Sequence, residues 1–355
     1  MITSVGGVVD VSLLLSLTDR VASLATPSGM HPGAWPLGER LAGWTRSRGL
    51  VFGDPDTSPL GRARCDRLAA RLFPAADLDR VELFGHWLTW TFALDDMLDQ
   101  PPLGTSATAV HELYDDLLRA LRRGAARPGA RPLESTLVEL WRETSAGMSP
   151  EWRRRFLLHL EEHRAGCAEE AVNRRTGRVP TPKHYPAGRR RACGPHLFDL
   201  VEPVLGVELA APVQTVPPWK ALAEGTADLL AWCNDLASYR REREDGDAHN
   251  LVAVLMDAYG YGDEQAAHWA LDRIETRAAD VAAAARVMPD ALDRLALPEA
   301  ERSAAARIVS ALLDAPRAHL DWLIESGRYD LSRSVSAAQS ERRPLGLLDA
   351  LASLR

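Results

Sequence analysis

Cysteine is scarce in this sequence. Its four residues, Cys65, Cys167, Cys193 and Cys233, lie far apart, and no two form a Cys-x-x-Cys pair. That spacing argues against a disulfide framework and a thiolate zinc site, and in a chain of 355 residues it reads as the reduced thiols of a cytoplasmic protein. The ten histidines contain no His-Glu-x-x-His, so a zinc enzyme of that kind is not supported. No nucleotide-binding glycine loop, internal repeat or low-complexity tract occurs. No run approaches the roughly 18 apolar residues of a membrane span. The opening Met1 to Leu17 carries Asp10 and lacks a basic start, so no secretory leader is expected. A net charge of -7 disfavours nucleic acid as a partner. Val, Ile and Thr are modest and strand-like alternation is absent beyond short pieces, which leaves little to build a sheet from.

What remains is helical. Ala, Leu, Arg and Glu dominate, and a hydrophobic content of 46% can bury a sizeable core. Helix-period segments are predicted at 36–49, 61–73, 77–99, 106–124, 132–146, 150–172, 183–193, 195–207, 218–243, 248–258, 262–287, 290–295, 298–326 and 344–353. Residues 1–30, rich in Gly, Pro, Ser and Thr, are expected to form an irregular arm, residues 31–335 one all-α domain, and 336–355 a tail.

Two acidic or amidic clusters stand out. Asp95, Asp96 and Asp99 end an apolar helix, and Asp95 and Asp99, four apart, share one face. Aspartates at a helix C-terminus oppose the macrodipole, so a solvated end carries a cost of its own. Their carboxylates suit Mg2+, which takes few protein ligands and keeps sites for phosphate oxygens. The second cluster is Asn234, Ser238 and Glu242. At about 100° per residue, the i, i+4, i+8 spacing makes one polar ridge of hard oxygen donors. The chain has only three asparagines, so this match is not easily accidental.

Together these motifs resemble those of the bacterial class I terpene synthases. The aspartate-rich motif matches Asp95-Asp96-Met97-Leu98-Asp99, and the second metal motif matches Asn234-Asp235-x-x-Ser238-x-x-x-Glu242. Arg328-Tyr329, six residues after Trp322, fits the family's C-terminal Arg-Tyr pair, and Tyr185 with Arg189-Arg190 fits the region of its diphosphate-sensing arginine. Asn173-Arg174 and Gly246-Asp247-x-His249-Asn250 fit its context. Spacing favours Arg189 over Arg190 as the sensor.

The resemblance implies a helical bundle around an apolar cavity, with both metal motifs at its mouth and three Mg2+ ions bound with an isoprenyl diphosphate. The reaction would be ionisation followed by cyclisation. Arg189, Arg190, Arg241, Arg328 and Tyr329 would bind diphosphate, and the Cys193 carbonyl, at the break set by Gly194-Pro195, would act as effector. Phe84, Trp87, Phe92, Trp232 and Trp322 are candidates to line the cavity and steady a carbocation through their ring faces. Ala93 and the small residues Gly225, Thr226 and Ala227 hint at a roomy cavity, so farnesyl (C15) and geranylgeranyl (C20) diphosphate both stay open. A homodimer is a reasonable expectation. The alternatives are an inactive helical relic, a non-enzymatic helical module, or a chain-elongating synthase, which would be expected to carry a second aspartate-rich motif.

Overall fold

The computed structural model describes residues 11–51 and 58–329, and every described element is helical, with no strand. The order is α1 (Val11–Arg20), α2 (Ala34–Ser47), α3 (Pro59–Arg62), α4 (Cys65–Leu72), α5 (Leu78–Leu98), α6 (Ala107–Arg123), α7 (Pro132–Ser145) and α8 (Pro150–Thr176). It continues through α9 (Tyr185–Ala192), α10 (His196–Asp199), α11 (Val201–Leu205), α12 (Ala211–Gln214), α13 (Pro217–Asp245), α14 (Leu251–Tyr259), α15 (Asp263–Arg294) and α16 (Glu299–Glu325).

Short polar residues start these helices. Asp77 accepts from the N–H groups of Asp79 and Arg80 at the head of α5. Ser149 accepts from Trp152 at the head of α8, where Pro150 sacrifices no hydrogen bond. Asn250 does the same for α14. Gly246 ends α13 in the left-handed region, at φ 76°, a conformation that costs other residues more.

The long helices form a ring. α13 packs along α15 and touches α16 and α9, while α8 lies between α6 and α9. α5 is held by α4, α2 and α7. Between α5 and α8 sits an aromatic core: Trp87 meets Phe156 edge-on at 5.2 Å, and Trp152 stacks on Phe156 at 5.2 Å.

The expected arm is partly helix. Leu14, Leu17, Val21 and Leu24 are buried, a 3–4–3 spacing that puts one stripe on the core. Arg20 ties α1 to Asp272 and Glu275 of α15. Three other expectations are corrected. The segment 61–73 is broken at Arg64, which lies in the left-handed region at φ 50°, into α3 and α4. The segments 262–287 and 290–295 are one helix, α15, which runs through Pro289 because Met288, Ala291 and Leu292 around it are buried. The segment 195–207 breaks at Leu200 into α10 and α11. The helix expected at 344–353 and the tail 336–355 lie outside the described residues, as do residues 1–10.

Candidate active site

The ring encloses a cavity of about 870 Å³ lined by α5, α8, α9, α13 and α16. α5 supplies Phe84, Leu88, Thr91 and Phe92 below and Asp95, Asp96 and Asp99 above. This i, i+4, i+7 series keeps one face on the cavity. The floor is therefore apolar and the rim acidic, both written on one helix.

Across the mouth stand Asn234 and Glu242 of α13, also lining the cavity. Ser238 lies between them, 1% exposed, its hydroxyl donating to the Asn234 carbonyl at 2.8 Å. Asn234 accepts from Arg189 Nη2 at 3.2 Å and donates to the Tyr329 hydroxyl at 2.7 Å. Glu242 accepts from Asn250 Nδ2 at 2.9 Å. Burial and the nearby Asp235 push the Glu242 carboxyl up to about 7. Burial and Asp95 likewise push Asp99 up to about 7. Both are carboxyl groups short of positive charge.

Arginines supply what countercharge there is. Arg328 Nη2 donates to Asp96 Oδ1 at 2.9 Å and Asp95 Oδ2 at 3.2 Å, while its guanidinium lies 4.8 Å from the Phe92 ring centre. Arg174 pairs with Asp99 at 3.1 Å and Asp247 at 2.9 Å, spanning the two walls. Arg241 lies 5.7 Å from the Tyr329 ring and lines the mouth. Among the described residues no three carboxylate, imidazole or thiolate groups converge on one point. The donors instead face each other in two sets, all oxygen, as hard cations shared with a phosphate ligand require. The residues present thus fit such cations.

Arg189 lines the cavity and is anchored by Asp235, whose Oδ1 accepts from Nε at 3.0 Å. Asp235 is wholly buried and also accepts from the Tyr185 hydroxyl at 2.6 Å and the Leu251 N–H at 3.2 Å. Cys193 lies on the cavity wall where Gly194, at φ 81°, turns the chain after α9. Its thiol donates to the Arg190 carbonyl at 3.3 Å, and burial pushes it up to about 11.

Fold, rim and walls match known proteins. A terpene synthase family model, described as family 2, C-terminal metal binding, matches residues 86–280. The (-)-delta-cadinene synthase of Streptomyces clavuligerus is 33% identical over 77% of this chain and 84% of its own. The chain belongs to the bacterial class I terpene synthases. A (+)-T-muurolol synthase of Roseiflexus castenholzii, named as cyclising (2E,6E)-farnesyl diphosphate, is 28% identical over 68% of this chain and 74% of its own. The crystal structure of an α-eudesmol synthase superposes with a TM-score of 0.76 at 25% identity, covering 86% of this chain and 98% of the other. This terpene synthase is accordingly a lyase acting on a prenyl diphosphate, with a metal-binding domain.

The synthase departs from expectation at several side chains. Arg190 does not line the cavity: its Nη1 is spent on Asp228, at 2.8 and 2.9 Å. Ser238, Trp87, Trp232 and Trp322 are also absent from the lining, unlike Phe84 and Phe92. With Asn234 facing the cavity, Trp232 lies about 200° round α13, and Leu230 and Ala231 take the wall. Trp87 lies about 100° from Leu88 and donates its indole N–H to Thr144 Oγ1 at 2.8 Å. Trp322 backs the wall instead, donating to the Ala63 carbonyl at 2.7 Å and meeting Phe92 and Tyr329 edge-on.

Nor do the small residues enlarge the cavity. A Cβ on Gly225 would fall 2.4 Å from Val281 Cγ2, so Gly225 serves the close approach of α13 to α15. Thr226 donates to the Leu312 carbonyl, binding α13 to α16.

One polar stripe lies outside the expected site residues. His163, Cys167, Glu170 and Arg174 run i, i+4, i+7, i+11 along α8 and all line the cavity. Their shared face was readable from the spacing alone. Tyr114 sits behind it, its hydroxyl 2.9 Å from His163 Nδ1, while His163 Nε2 lies 3.1 Å from the Ala192 carbonyl. The carbonyl can only accept, so Nε2 carries the proton and Nδ1 accepts from Tyr114. Burial pushes His163 down to about 4.

Proposed function

We propose that this synthase cyclises farnesyl diphosphate with Mg2+ as the metal and releases diphosphate and a sesquiterpene. The observation that carries the reading is the juxtaposition of Asp95, Asp96 and Asp99 on α5 with Asn234 and Glu242 on α13 across the mouth of an apolar cavity. The C15 substrate is favoured because Gly225 and Thr226 serve helix packing and Ala93 and Ala227 do not line the cavity, which removes the ground for a larger one. A relative named as cyclising farnesyl diphosphate points the same way.

Asp95, Asp96 and Asp99 on one wall and Asn234, Ser238 and Glu242 on the other would hold the ions, three by family expectation. Bound Mg2+ would offset the charge that develops on the departing diphosphate. Arg189, Arg241, Arg328 and Tyr329 bind the same phosphate oxygens, the guanidinium groups in forked geometry. Arg189 is pre-oriented by Asp235, so little reorganisation is needed when charge develops. Cys193, at the turn after α9 on the cavity wall, would supply its carbonyl as the effector, as the family resemblance implies.

Below the rim, Phe84, Leu88 and Phe92 exclude water and offer ring faces to the cation. The four cysteines are all free, in keeping with a reducing compartment such as cytoplasm. Among the described residues no helix is long and apolar enough to cross a membrane.

The test is incubation with geranyl, farnesyl and geranylgeranyl diphosphates, each with and without Mg2+, followed by GC–MS of the extract. A cyclic C15 product formed only with farnesyl diphosphate and metal is expected. A C20 ring product would refute the chain length, and no product from any substrate would refute the activity.

A further inference from the structure

The cavity's lower polar groups are almost all committed. Thr91 Oγ1 lies 3.2 Å from His196 Nε2, His163 uses both nitrogens, and the Cys193 thiol donates to a carbonyl. His319 of α16 is the exception. It lines the cavity, is 8% exposed, and its Nδ1 is buried without a hydrogen-bond partner among the described residues.

The ring is nonetheless fixed in place. It lies 5.3 Å from the Trp322 ring at 33°, and Trp322 is itself pinned by its bond to Ala63. Ala311, Leu312 and Ala315 precede it along the cavity wall of α16, so its immediate neighbours on that helix are apolar. Burial and the charge of Arg189 push His319 down to about 3, so the imidazole is neutral near pH 7. Nδ1 is closed off from the cavity, so the nitrogen placed to accept a proton is Nε2, which makes no hydrogen bond among the described residues. An unpaired polar group in such a wall is destabilising, and an aliphatic residue would fill the space without that cost.

Resting on the activity proposed above, we propose that His319 is the catalytic base that ends the cyclisation. One C–H bond of the final carbocation breaks, its electron pair becomes the alkene, and the proton adds to the unprotonated ring nitrogen. The resulting imidazolium, destabilised by burial and by Arg189, passes the proton to diphosphate or solvent as the products leave. No oxidant or reductant is involved.

The experiment compares wild type with His319→Phe and His319→Asn on farnesyl diphosphate. Diphosphate release, the product profile by GC–MS and the melting temperature are each measured. Diphosphate release is read beside the products, so that each product is counted per diphosphate released by the same variant. The share of the wild-type product should fall about tenfold or more, replaced by alkenes from other proton losses or by alcohols. Asn keeps a polar group without basicity, so it should behave like Phe. If Asn restores the wild-type profile, the role is hydrogen bonding and the proposal falls. It falls equally if either folded variant keeps that profile, and should Phe not fold, the Asn variant decides alone. A wild type that releases no diphosphate would overturn the activity itself, and this proposal with it.

Discussion

Neighbouring residues in the second motif have opposite duties. Asn234 opens on the cavity, whereas Asp235 is wholly buried and holds Arg189, Tyr185 and the start of α14. Replacing Asn234 or Glu242 by alanine should cut turnover about 100-fold or more, with the melting temperature nearly unchanged, as diphosphate release and calorimetry would show. Replacing Asp235 by asparagine leaves the half-buried Arg189 without its countercharge. That should cost about 3–5 kcal/mol of stability, read as a lower urea midpoint. The motif spacing identified the ridge but not this division, because a carboxylate next to a ligand position has the same letter whether it faces metal or core. Trp232 shows the reverse case. Once Asn234 is placed on the cavity, helix geometry alone sends Trp232 to the far side, and only its aromatic character suggested otherwise.

At the scale of helices, periodicity and caps located most of the elements that form the site. α5 was expected at 77–99 and runs Leu78–Leu98, and α13 was expected at 218–243 and runs Pro217–Asp245. Failures came where packing overrode local signals. Pro289 reads as a stop, yet the buried residues around it hold α15 continuous. The Gly- and Pro-rich composition before residue 30 concealed the buried stripe of α1. Gly225 marks the close approach of α13 and α15, and a Cβ there has no room beside Val281. Gly225→Ala should therefore destabilise by roughly 1–3 kcal/mol, without changing the product's carbon number. Adding Val281→Ala should recover part of the loss in thermal melts, and failure of that rescue would mean the contact is not what Gly225 serves.

The whole molecule carries a pH signature in its buried histidines. His86 is pushed down to about 4 by burial and Arg48, His163 to about 4 by burial, and His319 to about 3 by burial and Arg189. Each binds a proton more readily in the unfolded chain, where its pKa is near 6.5. Their contribution is therefore complete above about pH 6.5 and is lost as pH falls toward 4, at up to about 1.4 kcal/mol per pH unit for each. His159, raised by its bond to Asp199 against the effect of burial, works in the opposite sense. Glu242, Asp99 and Glu202, pushed up to about 7, take up protons in the folded chain between pH 7 and 5 and offset this loss. The His86→Gln variant removes one of the losing groups, so its urea midpoint should drop less than that of wild type between pH 7 and pH 5. Equal drops would show that the His86 ring stays accessible to protons in the folded state.

Arg174, bridging Asp99 and Asp247, and Arg328, lying against Asp95 and Asp96, already occupy the electrostatic place of cations at the mouth. Metal alone must compete with these tethered guanidinium groups, and diphosphate alone meets a rim of carboxylates. Arriving together, they allow an exchange of partners: carboxylates go to metal, guanidinium groups go to phosphate, and no charge is stranded. Occupancy is therefore conjunctive. Mg2+ or diphosphate added singly should move the melting temperature little, while the pair should move it by more than the sum, a linkage that needs no turnover to be seen.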